Sequence, residues 1–514
     1  MQKNRSIIHS TLQVTLITIL IKILGLIKQS VLASICGATN ETDIFFIVTG
    51  VLVSLSSIVF SSISISLLTF YTNRLAKEGR QSANRLINAT LRIFLPIAIL
   101  ISMLFCLFAK EIGHFLAPSY NNEELVIMGK YIKLMSVSFV FWCYYLIINV
   151  ILETDKRFLP GRLQGFFQNL FIIIGAVFLY RKYGIGVLIY SFVFSGLCQC
   201  IVVTWCARNY FKLLFIKLSE IGTIKKIMKL SFPLIMGNAI YEINDIVDKQ
   251  ISSGLGPGNA SFLTYGSTIN DIVAGVIVSS VSVVLFSHFA TWVAENNNEE
   301  VEKKLKNVLC LLTVIIYPIM VMCVVSGDQI VDILYGRGSF GEKEILATSG
   351  VVCCYALGFV FQAMRVNMVK VYYAYQDTKT PMINGIVAIV INIVLSVLLS
   401  RYIGIAGVAL ATSIAMLVIT IMLGRGIRTF LPKFSFKEIF IECFKGFLAA
   451  VLSGIFVYIL KSCIHINKYL DFIVEGVICL IGYIIILCIL KSNSFKEIVI
   501  IGKRETKSMV SKFK

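Results

Sequence analysis

GATNETDIFF (Gly37–Phe46), followed by SSISISLLTFY (Ser61–Tyr71), comes back later in the chain as GPGNASFLTY (Gly256–Tyr265), followed by SSVSVVLFSHF (Ser279–Phe289). Gly37 answers to Gly256, Asn40 to Asn259 and Ser61–Ser62 to Ser279–Ser280. A second echo pairs RKYGIGV (Arg181–Val187) with RYIGIAGV (Arg401–Val408). A chain that repeats itself at one spacing is built from two copies of one unit.

Each copy is strung with apolar runs. A bilayer core about 30 Å thick needs roughly 20 apolar residues in a helix. Fourteen such runs fall near 8–34, 43–70, 86–109, 126–151, 160–180, 185–206, 229–253, 259–292, 307–325, 345–371, 381–400, 404–423, 439–460 and 470–490. The first is too long for a signal peptide and carries Lys22 and Lys28, so it reads as an uncleaved helix. The repeat covers spans 1–6 and 7–12. An even number of spans keeps the same orientation, so the copies are parallel repeats about an axis along the membrane normal. The expected fold is an all-α polytopic membrane protein of 14 transmembrane helices, with two parallel six-helix bundles and two C-terminal helices outside the repeat. The divisions fall at 1–210, 211–430, 431–490 and 491–514.

Composition agrees. Of 514 residues 57% are apolar and 15% charged, with a mean hydropathy of +0.85. A soluble domain is about 45–50% apolar and a quarter charged. That excludes a water-soluble enzyme, a disordered chain and a nucleic-acid module despite a net charge of +19. With the N-terminus inside, 28 of the 47 Lys and Arg fall in cytoplasmic segments and 8 in outer loops, which places both termini in the cytoplasm. The basic tail Lys491–Lys514 suits anionic headgroups, although inside-positive bias alone accounts for it. Fourteen scattered cysteines without a CxxC pair imply neither a disulfide framework nor a zinc site.

The charges inside the spans ask for a reason, because one at the bilayer centre costs at least about 2.5–3.5 kcal/mol on insertion scales. Lys22 lies deep in the first span; Lys28 is nearer the outer face, where a snorkelling stem explains it equally well. YEINDIVDKQ (Tyr241–Gln250) places Glu242, Asp245 and Asp248 on one helical stripe. Asp245 and Lys249 can pair at i,i+4, which leaves two acids for a wet cavity or for cations such as Lys22 and Lys28. Asp271, Arg365 and Lys370 add to the intramembrane charges, and Glu442 with Lys445 make an i,i+3 pair of structural character. There is no GxxxxGK[ST] loop, no GxSxG nucleophile and no metal spacing among four distant histidines. Transport would be driven by gradients, membrane potential or substrate supply.

ILGLIKQSVLASICGATNETDIFF (Ile23–Phe46), ILYGRGSF (Ile333–Phe340), YYAYQDTKTP (Tyr372–Pro381) and INIVLSVLLSRYIGIAGVALATS (Ile391–Ser413) resemble the MurJ/MviN lipid II flippases of the multidrug/oligosaccharidyl-lipid/polysaccharide exporter superfamily. The resemblance implies a lipid II flippase of the bacterial cytoplasmic membrane, serving peptidoglycan synthesis and cell shape. It would move undecaprenyl-pyrophosphate-linked precursor from the inner to the outer leaflet, with cations lining a central cavity and the last two helices forming a lipid-tail groove. It places Lys22, Lys28 and Asp43 at the pyrophosphate, the lysines standing for two arginines. The acid after the second arginine is Gln29, an arginine late in the second span falls in the neutral stretch Ser54–Ser57, and one in the eighth becomes Thr268. Arg grips a pyrophosphate with a planar fork and Lys with a point charge, which leaves room for another polyprenyl-linked glycan of capsule or teichoic type.

The same resemblance implies a Na⁺ site at Asp248, Asn392, Ser396, Val408 and Thr412, with Ser396 where an acid is usual. A polar packing contact through Asn392 and Thr412 is the alternative. An ion-coupled drug antiporter of the superfamily fits the lysines of the first span less well, and a non-transporting scaffold fits the intramembrane charges less well still.

Overall fold

The computed structural model describes residues 2–210, 220–275, 289, 291–461, 467–497 and 500; of residues 2–15, 240 and 241 it describes the main chain alone. The described chain is helical, with no strand among the described residues. This is what a lipid-embedded backbone requires, because only intrahelical bonds satisfy its N–H and C=O groups there.

Two compact units divide the chain. The first comprises residues 1–264 together with 337–341; the second comprises 265–336 and 342–514. The first holds α1 (Gln2–Cys36), α2 (Asn40–Ser56), α3 (Ser62–Leu107), α4 (Ala109–Leu116), α5 (Asn122–Ser136), α6 (Ser138–Thr154), α7 (Leu159–Ile174), α8 (Tyr180–Tyr183), α9 (Gly186–Ala207) and α10 (Ile221–Ser253). Helix α11 (Asn259–Val273) begins in the first unit and ends in the second. The second holds α12 (Asn298–Val325), α13 (Gly327–Tyr335), α14 (Glu342–Ala356), α15 (Phe359–Ala374), α16 (Lys379–Ile403), α17 (Ile405–Ile427), α18 (Phe436–Lys461) and α19 (Lys468–Ile489).

Local chemistry sets the ends of these helices. The Thr39 hydroxyl accepts from the Thr42 N–H at the start of α2, and Asn121 with Glu124 forms a capping box on α5. The YYAYQDTKTP stretch is a turn of the same kind. Gln376 takes a positive φ of 62°, and the Asp377 carboxylate accepts from the N–H groups of Lys379 and Thr380 at 3.0 Å each to open α16.

Among the described residues ten helical stretches are long and apolar enough to cross a membrane, or eleven if α14 and α15, bent by 43°, count as one crossing. The protein is therefore an integral membrane protein. The number falls short of fourteen for readable reasons. Residues 40–107 form one 68-residue stretch, broken at Gly79 (φ +82°), that contains two of the apolar runs. The 33-residue α10 is too polar between Asn238 and Lys249. The eighth run, with its Ser279–Ser280 match, lies partly outside the described residues, as does most of the basic tail.

Helix bounds in the two halves keep a nearly constant offset. Asn122–Ser136 is matched by Glu342–Ala356, 220 residues on at both ends. The positive-φ positions Lys156 and Gly184 are matched by Gln376 and Gly404, again 220 residues on. Within the second unit α17 packs on α14 and α15 through small polar groups: Ser413 donates to the Cys354 carbonyl at 2.6 Å and Thr420 to the Phe361 carbonyl at 2.9 Å. Lipid tails are as apolar as leucine, so such contacts, each about 0.6 kcal/mol, carry specificity that hydrophobic burial cannot supply in a bilayer.

Candidate functional site

The charged residues singled out in the first half of the chain all belong to the first unit. Helix α1 packs on α7 along Ile21 and Gly25: the Asn169 amide donates to the Ile21 carbonyl at 3.3 Å, and a Cβ on Gly25 would sit 3.5 Å from it. At about 100° per residue Lys28 lies close to this seam, whereas Lys22 is about 120° round the helix from Lys28, beside Gln29. Both lysines are half-buried. Lys28 makes no hydrogen bond or ion pair with a described residue. Gln29 is buried, and its Oε1 has no hydrogen-bond partner among the described residues. Lys28 and the unbonded oxygen of Gln29 are neighbours in sequence, about 100° apart round the helix.

Helix α10, which opens the second copy of the sequence repeat, is built into this first unit. Arg74 of α3 grips Glu220 with two bonds of 2.6 and 2.9 Å at the start of α10. Asn238 donates to Ser62 at 3.0 Å, and Gln250 donates to the Phe115 carbonyl at 2.6 Å. Along the acidic stripe the three carboxylates differ. Asp245, half of its side chain exposed, pairs with Lys249. Asp248 is buried at 6% exposure and accepts from Asn244 at 3.1 Å. Glu242 is half-buried and has no hydrogen bond or ion pair with a described residue. Lys249 is itself largely buried against α2, where a Cβ on Gly50 would collide with its ammonium. The partner that Asp245 takes is therefore Lys249 on its own helix.

The Asp43 carboxylate is bonded to the start of α11. The residue is fully buried on α2 and caps α11, accepting from the Gly258 and Ser261 N–H groups at 2.7 Å each and from the Ser261 hydroxyl. Gly258 makes this possible: its φ is +85°, and a Cβ there would strike the Ala38 carbonyl. With three donors the Asp43 oxygens close the start of the helix. The partners lie 215 and 218 residues away, so only the paired glycines and small polar residues of GPGNAS hint at the cap.

ILYGRGSF also resolves into structure. Residues 337–341 leave the second unit to join the first, where the Ser339 N–H donates to the Ser34 carbonyl at 2.8 Å at the end of α1. In the stretch Ser54–Ser57, Ser54 and Ser56 are buried, and the Ser56 hydroxyl returns to the Leu52 carbonyl at 2.8 Å. Thr268 is half-buried on α11.

In the second unit Asn392 donates to Thr412 at 3.0 Å, Ser396 to Asn392 at 3.4 Å, and Thr412 to the Val408 carbonyl at 3.2 Å. These oxygens satisfy one another between α16 and α17. Asp248, the one carboxylate in the set, belongs to the first unit. Among the described residues no group of three or more His, Cys, Asp or Glu side chains gathers to hold a metal.

The last two helices are tied to α13 at one end and to each other at the other. Lys461 pairs with Asp328 at 2.8 Å and Lys468 with Asp332 at 3.2 Å. Glu475, 1% exposed, accepts from Ser326 at 2.5 Å and Gln329 at 2.8 Å at the start of α13. At the opposite end Glu442 accepts from Lys445 at 3.0 Å, as its spacing predicts, and from Ser492 at 2.6 Å.

Comparison with known proteins converges on one group. The probable lipid II flippase MurJ of Thermotoga maritima is 23% identical over 507 residues, covering 96% of this chain and 98% of its own. The lipid II flippase MurJ of Thermosipho africanus is 27% identical over 480 residues, covering 89% and 97%. A solved lipid II flippase MurJ in an inward closed conformation shares the fold, with a TM-score of 0.80 at 24% identity over 94% of this chain and 99% of that one. An inward-facing multidrug MATE transporter of the MOP superfamily follows at 0.68 and 13%, covering 80% and 96%. The family model of the lipid II flippase MurJ matches residues 32–476, most of the sequence, and the chain belongs to that family.

Proposed function

We propose that this chain moves lipid II, the undecaprenyl-pyrophosphate-linked peptidoglycan precursor, from the inner to the outer leaflet of the bacterial cytoplasmic membrane by alternating access. It is a transporter, with no bond made or broken in the lipid. The observation that carries the reading is the family match across residues 32–476, joined to two half-buried lysines on α1. Lys22 and Lys28 hold the pyrophosphate as point charges. Their 120° separation on α1 suits a two-phosphate group gripped from two sides better than a single oxyanion.

The proposed topology has fourteen crossings and both termini in the cytoplasm. The stretch 40–107 crosses twice, and α10 and the eighth apolar run of the sequence supply the remaining two. The constant 220-residue offset between Asn122–Ser136 and Glu342–Ala356 supports two parallel copies, 1–210 and 211–430. Residues 431–490 would form the lipid-tail groove, followed by the basic tail. A resident Na⁺ fits poorly: on α16 and α17 the candidate ligands are neutral oxygens bonded to one another, and no step of the cycle is routed through it.

Complementation of a strain depleted of its lipid II flippase tests the reading. Wild type should restore growth; Lys22→Ala and Lys28→Ala should fail at normal expression, and Lys22→Arg and Lys28→Arg should recover it. Failure of the wild type overturns the substrate. Full growth with both alanine variants overturns the role of the lysines.

A further inference from the structure

We propose that the second unit carries a binding site for one anionic diacyl phospholipid, with one acyl chain in an apolar cavity between α12, α15, α17 and α18 and the phosphate against Arg425 and Arg428. The cavity holds about 640 Å³, inside the range of roughly 300–1,000 Å³ typical of small-molecule sites. Its wall is hydrocarbon and aromatic: Val360 and Met364 on α15, Leu417 and Ile421 on α17, Phe440 and Phe444 on α18. Two hydroxyls line that wall, those of Tyr317 and Thr420, and Thr420 is already bonded to the Phe361 and Met416 carbonyls at 2.9 and 2.7 Å. The rest of the wall, short of the two arginines, is apolar.

The end of the cavity is different. Arg425 and Arg428 line it there, both exposed, and neither makes an ion pair with a described residue. The Arg428 guanidinium lies over the Phe436 ring, 5.6 Å from its centre, which orients the fork beside the opening. At Gly424 the neck narrows, since a Cβ would meet the Phe436 ring at 3.2 Å. The C-terminal dipole of α17 accounts for a basic residue in its last turn; it does not account for an adjoining apolar chamber.

Length selects the occupant. From Leu417 to Arg428 is about 16 Å along the α17 axis, and Phe436 to Phe447 on α18 is the same, at 1.5 Å per residue. Half of a bilayer core of about 30 Å is about 15 Å. The chamber is one leaflet deep, with cations where that leaflet's phosphates lie. An acyl chain of a membrane phospholipid matches both the depth and the charge. The walls take no residue from α19, so the site is distinct from a groove between the last two helices. The inference does not depend on which lipid the protein transports.

Native mass spectrometry of the full-length protein, purified with equal phosphatidylglycerol and phosphatidylcholine of matched chains, tests it. Wild type should retain one phosphatidylglycerol at least tenfold over phosphatidylcholine. The double variant Arg425→Gln/Arg428→Gln should lose that preference, and Arg425→Lys/Arg428→Lys should keep most of it. Ile421→Trp, which sets a bulky ring in the chamber wall, should lose most retention of both lipids, while Lys433→Gln, exposed and off the wall, should behave as wild type. Equal retention by wild type, preference surviving in the glutamine variant, or retention surviving in Ile421→Trp overturns the proposal. Displacement of phosphatidylglycerol by stoichiometric undecaprenyl phosphate also overturns it, because the chamber would then belong to a polyprenyl chain. Should the glutamine variant fail to fold, Ile421→Trp and the lysine variant decide.

Discussion

Glu442 and Glu475 of α18 and α19 and two acids of α10, Glu242 and Asp245, break the same rule of membrane helices and are treated in opposite ways. Glu442 and Glu475 are buried and surrounded by donors: Lys445, Ser492 and the Ser494 N–H for the first, Ser326 and Gln329 for the second. Among the described residues Asp245 has only Lys249, one helical turn along, and Glu242 has none. Charge inside a span is therefore not by itself a mark of function. What distinguishes the two sets is how many donors the fold has assembled around each carboxylate. A fully surrounded acid holds helices together, whereas an acid with spare lone pairs on a half-exposed helix is available to something that comes and goes.

The sharpest way to break this comparison is to remove a surrounded acid. Asp43→Ala should be the most damaging single change, because it strands two main-chain N–H groups and a hydroxyl at the start of α11. Each buried donor left unsatisfied costs about 1–3 kcal/mol, so the purified protein should lose several kcal/mol and melt well below wild type. Asp43→Asn, which still accepts, should recover part of that. A melting temperature unchanged in Asp43→Ala would show that the cap does not hold the fold.

Glu475→Ala comes next, at about 1–3 kcal/mol for the donors of Ser326 and Gln329. The loss should be visible in thermal melts and as faster proteolysis near α13. Glu242→Gln is the opposite case. Its stability should change by less than about 0.5 kcal/mol, as for a substitution that touches no packed feature, while complementation falls. If Glu242→Gln complements fully, the spare carboxylate is only tolerated, and the contrast between the two sets loses its functional half.

How far the sequence could foretell this division depends on distance along the chain. Contacts within one helical turn were legible: Asp245–Lys249 and Glu442–Lys445 follow from i,i+4 and i,i+3 spacing, and both form. The apolar runs fixed most helices, and the echo of RKYGIGV in RYIGIAGV marked turns where Gly184 and Gly404 take similar positive φ. The partners of Asp43, more than 200 residues away, left only the small residues of GPGNAS as a trace, so the cap itself was not foreseen. The orphaned amide of Gln29 and the return of residues 337–341 to the first unit were hidden for the same reason. Periodicity reports which face is apolar; it does not report which polar atom meets which.

The smallest expected effect is at Gly50, and it asks whether Lys249 is held or merely parked. A Cβ there collides with the Lys249 ammonium, which is the far end of a flexible side chain. If the ammonium is free to swing, Gly50→Ala loses only an i,i+4 pair worth about 0.3–0.5 kcal/mol. It gains up to about 1 kcal/mol of helix propensity. The net should lie within about 0.5 kcal/mol of wild type, and Lys249→Ala should add almost nothing in the Gly50→Ala background. A double-mutant cycle on melting free energies measures this directly. A loss of several kcal/mol in Gly50→Ala, with strong coupling to Lys249→Ala, would mean that the ammonium is locked between α2 and Asp245. The stripe on α10 would then be a fixed part of the first unit like the acids of α18 and α19, leaving Glu242 as its one available carboxylate.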